Sequence, residues 1–207
     1  MKRLFIIIVI FFFSNQLFSQ NTNRINFFYG FAYNELIRSA NLDGAPSYKG
    51  KGATIIGVTY QRTLFKSLSL ETGLEYSENK IEITPVYYPE IHMYPSKNIV
   101  TQEVSVNMIT IPVYANYTFL KYFYANAGVL IDFEMDRGDY PKTDDQSGIG
   151  FGAGIGGQYT LQNFTLFVNP MIRFHAVIAN EKENHHQHIT ESGIKIGIAY
   201  NFQRYYP

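Results

Sequence analysis

The 207-residue chain contains no cysteine and no tryptophan. Without cysteine, no disulfide can brace the fold and no thiolate metal centre can form. An excess of charge is also missing, since 17 basic residues stand against 17 acidic ones. Such a balance leaves no basic surplus with which to hold nucleic acid, so no nucleic-acid partner is expected. Long apolar runs are scarce. Beyond residue 20 nothing approaches the ~20 apolar residues of a membrane-crossing helix. The one apolar run, Leu4 to Phe13, is about half that length and follows Lys2 and Arg3. A short apolar run behind a charged start, followed by small and polar residues, reads as a secretory signal peptide. The expected cut falls after Ser19, which divides the chain into a leader at 1–19 and one mature domain at 20–207. No cysteine follows the run, which excludes a lipid-anchored form. Losing Lys2 and Arg3 leaves 15 basic residues against 17 acidic, so the mature chain is slightly acidic.

What the chain does have is aromatic residues, 17 Tyr and 17 Phe, spread over short alternating segments. Strands are expected at 24–37, 52–64, 68–81, 103–119, 122–134, 147–161, 163–177 and 190–203. In the last of these, Ile194, Ile196, Ile198, Tyr200 and Phe202 alternate with Gly193, Lys195, Gly197, Ala199 and Asn201. A period of two puts each set on its own face. The third, sixth and seventh segments repeat the pattern. The non-apolar face is mostly Gly, Ala, Ser, Thr and Asn, with few charges. Small side chains there suit the crowded interior of a narrow barrel.

The connections alternate in length. Tight turns are expected at Lys66-Ser67, Leu120-Lys121 and Gln162-Asn163. Long connections run over about 38–51, 82–102, 135–146 and 178–189. Short turns on one side and long loops on the other belong to barrels that span an outer membrane. The expected fold is therefore all-β: an eight-stranded antiparallel transmembrane up-and-down β-barrel. Its short turns would be periplasmic, its long loops extracellular, and both termini periplasmic. Tyr60, Phe65, Tyr117, Phe119, Tyr122, Phe123, Tyr159, Phe164, Tyr200 and Phe202 cluster beside the short turns and predict a periplasmic aromatic girdle. Pro112 and Pro170 fall inside strands of a barrel without edges, where each predicts a local bulge.

Three stretches resemble the small outer-membrane β-barrel proteins of Bacteroidetes-type bacteria, the PorT-like or porin-family barrels. Ile109-Thr110-Ile111-Pro112-Val113, with Tyr114, Ala115, Asn116 and Tyr117, is similar to that family's Ile-Pro strand. Gly148 to Gly157 resembles its Gly-rich sixth strand. Gly197-Ile198-Ala199-Tyr200-Asn201-Phe202 resembles the terminal strand that barrel-assembly machinery reads, although five residues follow Phe202 here. The resemblance implies an outer-membrane barrel and carries no catalytic site.

Several residues invite chemistry. Glu71, Glu75, Arg173 and Lys195 are expected to point into the lumen as an ion network, with Glu75 and Arg173 bridging it, because charges in a narrow interior must pair. The alternative is a polar passage or a catalytic dyad. Gly152 to Gly157 matches G-x-G-x-x-G, but no helix follows it, so a nucleotide fold is not expected. His185, His186 and His188 lie near Glu181, Glu183 and Glu191 and offer metal ligands, though at no closed-site spacing. No metal or other cofactor is expected. His175, Ser192 and Glu191 form a conceivable hydrolase trio near the outer rim. The loop at 82–102 carries Tyr87, Tyr88, Ile91, Met93 and Tyr94 among prolines, a composition suited to a protein partner or to packing over the barrel mouth.

The expected role is thus a non-enzymatic barrel, structural or accessory, with a filled lumen. Its partners would be outer-membrane lipid, the assembly machinery during insertion, and a protein engaged through the long loops. A conduit for small solutes or hydrophobic ligands and a lipid-modifying enzyme are the alternatives.

Overall fold

A computed structural model describes residues 22–38, 46–65, 67–85, 101–135, 144–180 and 187–203. It contains eight strands: β1 Thr22–Arg38, β2 Ser47–Thr63, β3 Leu68–Thr84, β4 Gln102–Phe119, β5 Phe123–Glu134, β6 Gly148–Leu161, β7 Phe164–Ala179 and β8 Gln187–Gln203. The expected leader at 1–19 and the residues Tyr87, Tyr88, Ile91, Met93 and Tyr94 lie outside the described residues. Each strand pairs antiparallel with its sequence neighbours, and β1 closes on β8 over its whole length, from Thr22↔Gln203 to Arg38↔Gln187. Closure leaves no open edge, so every strand can satisfy its backbone groups on both sides.

The tight connections are built by the backbone itself. Leu120 and Lys121 between β4 and β5, and Gln162 between β6 and β7, take positive φ values of 51°, 64° and 51°. Such values match the twist of a right-handed two-strand ribbon, and the structure imposes them on ordinary side chains. Neighbouring strands hold these turns: Gln158 N–H donates to Tyr122 O at 2.7 Å and Asn201 N–H to Asn163 O at 2.8 Å.

The two faces separate cleanly. On β8, Ile196, Ile198, Tyr200 and Phe202 are exposed while Lys195 and Ala199 are buried. On β7, Phe164, Leu166, Val168 and Ile172 face out while Thr165, Asn169 and Arg173 face in. Ile194 to Phe202 extends roughly 27 Å along the strand, or about 20 Å of height at a tilt near 40°. That is close to the ~25 Å apolar band of barrels that cross a bilayer. An arginine in this belt faces hydrocarbon. Ile196→Arg is expected to lower bilayer stability by about 2–4 kcal/mol, and Ser192→Arg, near the polar rim, by at most about 1 kcal/mol. Urea titration in vesicles, read from the heat-modifiable gel band, checks the pair. Equal losses would remove the belt.

Inward glycines of β6 make room for aromatic side chains. A Cβ on Gly152 would run into the Tyr114 hydroxyl, and one on Gly156 into the Tyr124 ring. The Gly-rich strand is therefore a groove in which two tyrosines lie.

The expected bulges at Pro112 and Pro170 are absent, and register is unbroken at both. Thr72↔Val113 and Glu75↔Thr110 share one register, as do Gly154↔Met171 and Gly157↔Val168. Each proline lacks a donor, and the ladder lapses on one side for two residues without an inserted one. The true irregularities are elsewhere. Between Gly50 and Gly52 the register shifts by one, leaving Lys51 as the extra residue and Gly52 at φ 106°. Between β6 and β7, His175, Ala176 and Val177 together oppose the single Gly150, and Ala176 sits at φ 46°. As a result the consecutive residues His175 and Ala176 are both buried.

The belt does not run to the strand ends. On β3 the outward residues change from Leu74 and Tyr76 to Glu78, Lys80 and Glu82, while the inward ones change from Glu75 and Asn79 to Ile81 and Ile83. Beside them, Val106, Met108 and Ile189 complete a buried apolar cluster, with Leu36, Tyr48 and Val104 packed against it. The alternation keeps its period but reverses its meaning. In the belt the outside is apolar. Past it, toward the long connection, the outside of β3 is polar and its inside apolar, whereas β5, β6 and β7 keep Phe133, Ile149 and Ile178 exposed near their ends.

Candidate functional site

The lumen below that apolar cap holds the chain's concentrated chemistry. Arg173 on β7 is fully buried, with its Nη1 2.9 Å from Glu75 Oε2 on β3 and its Nε 3.5 Å from Glu191 Oε2 on β8. These are ion pairs by distance and lack the angles of directed hydrogen bonds. Lys195 Nζ donates to Glu75 Oε1 at 2.7 Å and lies 4.6 Å above the Phe28 ring. The aromatic face adds to the stabilisation of a desolvated ammonium. His175 lies between two carboxylates, Nδ1 3.0 Å from Asp132 Oδ1 and Nε2 3.3 Å from Glu191 Oε2. These too are contacts by distance, without the angles of directed hydrogen bonds, and a protonated imidazole there would face a carboxylate on each side. It also evens the charge, because Glu75, Asp132 and Glu191 otherwise face only Arg173 and Lys195. Around this core, Thr110 donates to Asp132 at 2.7 Å, Asn79 to Glu191 at 2.8 Å and Asn34 to Asn79 at 2.9 Å. The β7 bulge has a part in this, since it brings the Ala176 N–H to 3.4 Å from Asp132 Oδ2 beside the buried His175.

Nearer the short turns the lumen stays polar but becomes looser. Glu71 on β3 takes hydrogen bonds from Thr59 at 2.6 Å, Asn26 at 3.4 Å and Asn116 at 3.0 Å. A cavity of about 20 Å³ lies beside it, between Arg24, Asn126, Asn169 and Lys195. The buried amide atoms Asn26 Oδ1, Asn126 Oδ1 and Asn169 Nδ2 have no protein partner. A space of that size with such a lining suits one bound water. Beyond it a recess of about 250 Å³ opens at the short-turn mouth.

All four residues expected in the lumen, Glu71, Glu75, Arg173 and Lys195, point inward. Glu75, Arg173 and Lys195 meet directly, and Glu71 is held separately by neutral partners. His175, Asp132, Asn79 and Arg24 complete the lumen, and none had been placed in a lumen network. Period-two alternation carries the signal for Asp132 and Asn79, but pairing across the barrel is invisible in one dimension. The hydrolase trio is not assembled. Ser192 is exposed on the outer face, while His175 and Glu191 are buried inside. The G-x-G-x-x-G stretch lies wholly within β6. His185, His186, Glu181 and Glu183 lie outside the described residues. Of the remaining candidate ligands, His188 pairs opposite Ile37 on β8, and Glu191 is committed to the lumen. Among the described residues no group of three or more metal-binding side chains is assembled.

The aromatic residues beside the short turns project outward. Tyr60, Tyr117, Phe123, Tyr159, Phe164, Tyr200 and Phe202 are exposed, and Phe119 is half-buried. Several touch: Phe119 and Phe123 with ring centroids at 6.2 Å, Tyr122 and Tyr159 at 6.1 Å, Phe164 and Tyr200 at 5.4 Å, and Tyr200 and Phe202 at 4.9 Å. Aromatic residues are not confined to that end. Phe27, Tyr29, Phe31 and Tyr33 run up the outer face of β1.

No protein-family model matches the chain, and no curated protein does. Solved structures do. The outer membrane protein OprG from Pseudomonas aeruginosa is 14% identical with a TM-score of 0.54, covering 89% of this chain and 97% of that one. AlkL, determined in lipid bilayers, is 12% identical with a TM-score of 0.47, covering 94% and 96%. Ail of Yersinia pestis is 12% identical with a TM-score of 0.42, covering 89% and 100%. The likeness to OprG establishes the fold as that of a small outer-membrane β-barrel.

Proposed function

We propose that this chain is a non-enzymatic integral outer-membrane barrel with a closed lumen, acting in a structural or accessory role. The short turns and both termini face the periplasm, and the long connections face outward. The observation that carries the reading is the Arg173–Glu75 pair, which joins β7 to β3 across the lumen at 2.9 Å. With Glu191, His175 and Lys195 it fills the bore, and the apolar cluster of Ile81, Met108 and Ile189 covers it. An eight-strand barrel has an interior about wide enough for side chains, so filling it leaves no pore for solute. Kinship with the PorT-like barrels is part of the proposal and rests on the Ile109 to Val113 strand, the Gly148 to Gly157 strand and the terminal strand. Lipid surrounds the belt, the assembly machinery acts during insertion, and the partner of the accessory role engages the long connections.

Planar-bilayer recording tests the closed bore. The wild-type barrel is expected to give no steps above leak, and Arg173→Ala is expected to give none either, because the apolar cap remains. Steady steps of porin size from the wild type would overturn the proposal and support a conduit.

A further inference from the structure

The cations of the lumen are not treated alike. Arg173 has two carboxylates within 3.5 Å, His175 has two within 3.3 Å, and Lys195 has Glu75 at 2.7 Å. Arg24, on β1 at the short-turn mouth, has none among the described residues. Its Nε donates to Gln61 Oε1 at 2.8 Å and its Nη1 to Gln158 Oε1 at 2.9 Å. Both partners are neutral amides. They fix the guanidinium without cancelling its charge. The nearest lumen carboxylate, Glu71, accepts from Thr59 and Asn116 and shares the small inner cavity with Arg24 without forming an ion pair with it. A guanidinium carries five N–H donors. Among the described residues the remaining Arg24 donors take no acceptor, and they are not among the sealed polar atoms that lack a partner. Arg24 lines both that inner cavity and the outer recess of about 250 Å³, so its guanidinium is within reach of a ligand seated at the mouth.

Apart from Leu68 the rest of that recess is amide and hydroxyl, including Gln158, Asn163, Asn201, Thr118 and Thr160, and among the described residues no carboxylate lines it. The volume is below the ~300–1,000 Å³ of sites for larger organic ligands. A fixed guanidinium with no carboxylate in ion-pair contact, surrounded by neutral polar groups, is complementary to a planar or tetrahedral oxyanion.

We propose that the short-turn mouth is a binding site for a small oxyanion, a carboxylate or a phosphate, anchored by Arg24. The site is separate from the ion network that closes the bore, and it exists whether or not the barrel conducts.

Calorimetric titration of the mature chain, refolded in a sugar-headgroup detergent free of phosphate, tests this. The probes are inorganic phosphate and acetate, with the Arg24 side-chain NMR resonance followed in parallel. Saturable binding of either anion is expected, with a shift of that resonance. Binding of acetate alone assigns a carboxylate, and binding of phosphate alone assigns a phosphate. Arg24→Gln is expected to weaken binding by at least about tenfold, the loss of one charge-assisted contact. Gln158→Glu supplies an internal carboxylate to Arg24 and is expected to abolish binding while the heat-modifiable band persists. This second variant keeps the arginine and decides the matter if Arg24→Gln fails to fold. A folded wild type that takes up neither anion would overturn the site, as would either variant binding as well as the wild type.

Discussion

Arg173→Ala is expected to lower the unfolding free energy of the barrel by about 3–5 kcal/mol, the cost of leaving buried charge without its partner. The side chain is fully buried, and both of its carboxylate neighbours are buried with it. Removing the guanidinium leaves Glu75 with Lys195 alone and Glu191 with His175 alone, and like charges then face each other across a dry interior. The expected repair follows from the same argument. Adding Glu191→Gln to Arg173→Met removes one charge of each sign, keeps an amide able to accept from Asn79, and is expected to recover at least half of the loss. Urea midpoints in vesicles, read from the folded gel band, measure all three proteins. If the double variant is no more stable than Arg173→Ala, neither refilling the volume nor balancing the charge restores the lumen, and the charge-pairing account fails.

Ile81→Glu is expected to cost roughly 3–5 kcal/mol, while Lys80→Leu next to it shifts stability by no more than about 0.5 kcal/mol. Ile81 is fully buried against Met108 and Ile189, where an added carboxylate meets no cation. Lys80 points away from the same strand into a polar surface. Because Ile81 lies in the cap, past the apolar belt, its loss is expected to be the same in thin and thick bilayers. The cost of Ile196→Arg should instead follow bilayer thickness. Comparison in lipids of two chain lengths separates the two environments. Thickness-dependent loss at Ile81 would place the cap inside the membrane.

The cap also marks where sequence reading stopped short. Strands were expected to end at 81 on β3 and to start at 52 on β2 and 190 on β8. They run on to Thr84 and back to Ser47 and Gln187. The added residues lie at or just past the place where the apolar face changes side, a change that on β3 begins at Glu78 within the expected strand. A rule that looks for one continuous apolar face ends the strand where the face switches, although the backbone continues. The prolines were misjudged for a related reason. A bulge was expected wherever a donor was missing, but a twisted closed sheet tolerates two unpaired positions without changing register. The bulge that shapes the lumen, at His175 to Val177, carries no glycine or proline of its own. It is set by what Gly150 opposite leaves vacant and by Asp132 across the interior.

The hydrolase trio shows the same limit from the other side. Glu191 and Ser192 are adjacent in the chain, which is why they are opposite in space: in a strand, neighbours point to different faces. Arg24 carries no signal of its own in the sequence for a complementary reason. Nothing local distinguishes an arginine that will meet two carboxylates from one that will meet two amides.

The order of residues by itself determines that this chain forms strands, that there are eight, which side chains face in along most of their length, and which connections are short. All of that depends on a period of two and on turn chemistry, which are properties of neighbours in sequence. The tertiary structure alone decides which lumen charges meet, where the apolar belt gives way to a dry cap, and that the guanidinium near the short-turn mouth is held by two amides. Those outcomes depend on distances between strands up to four places apart around a closed ring, and closure sets those distances.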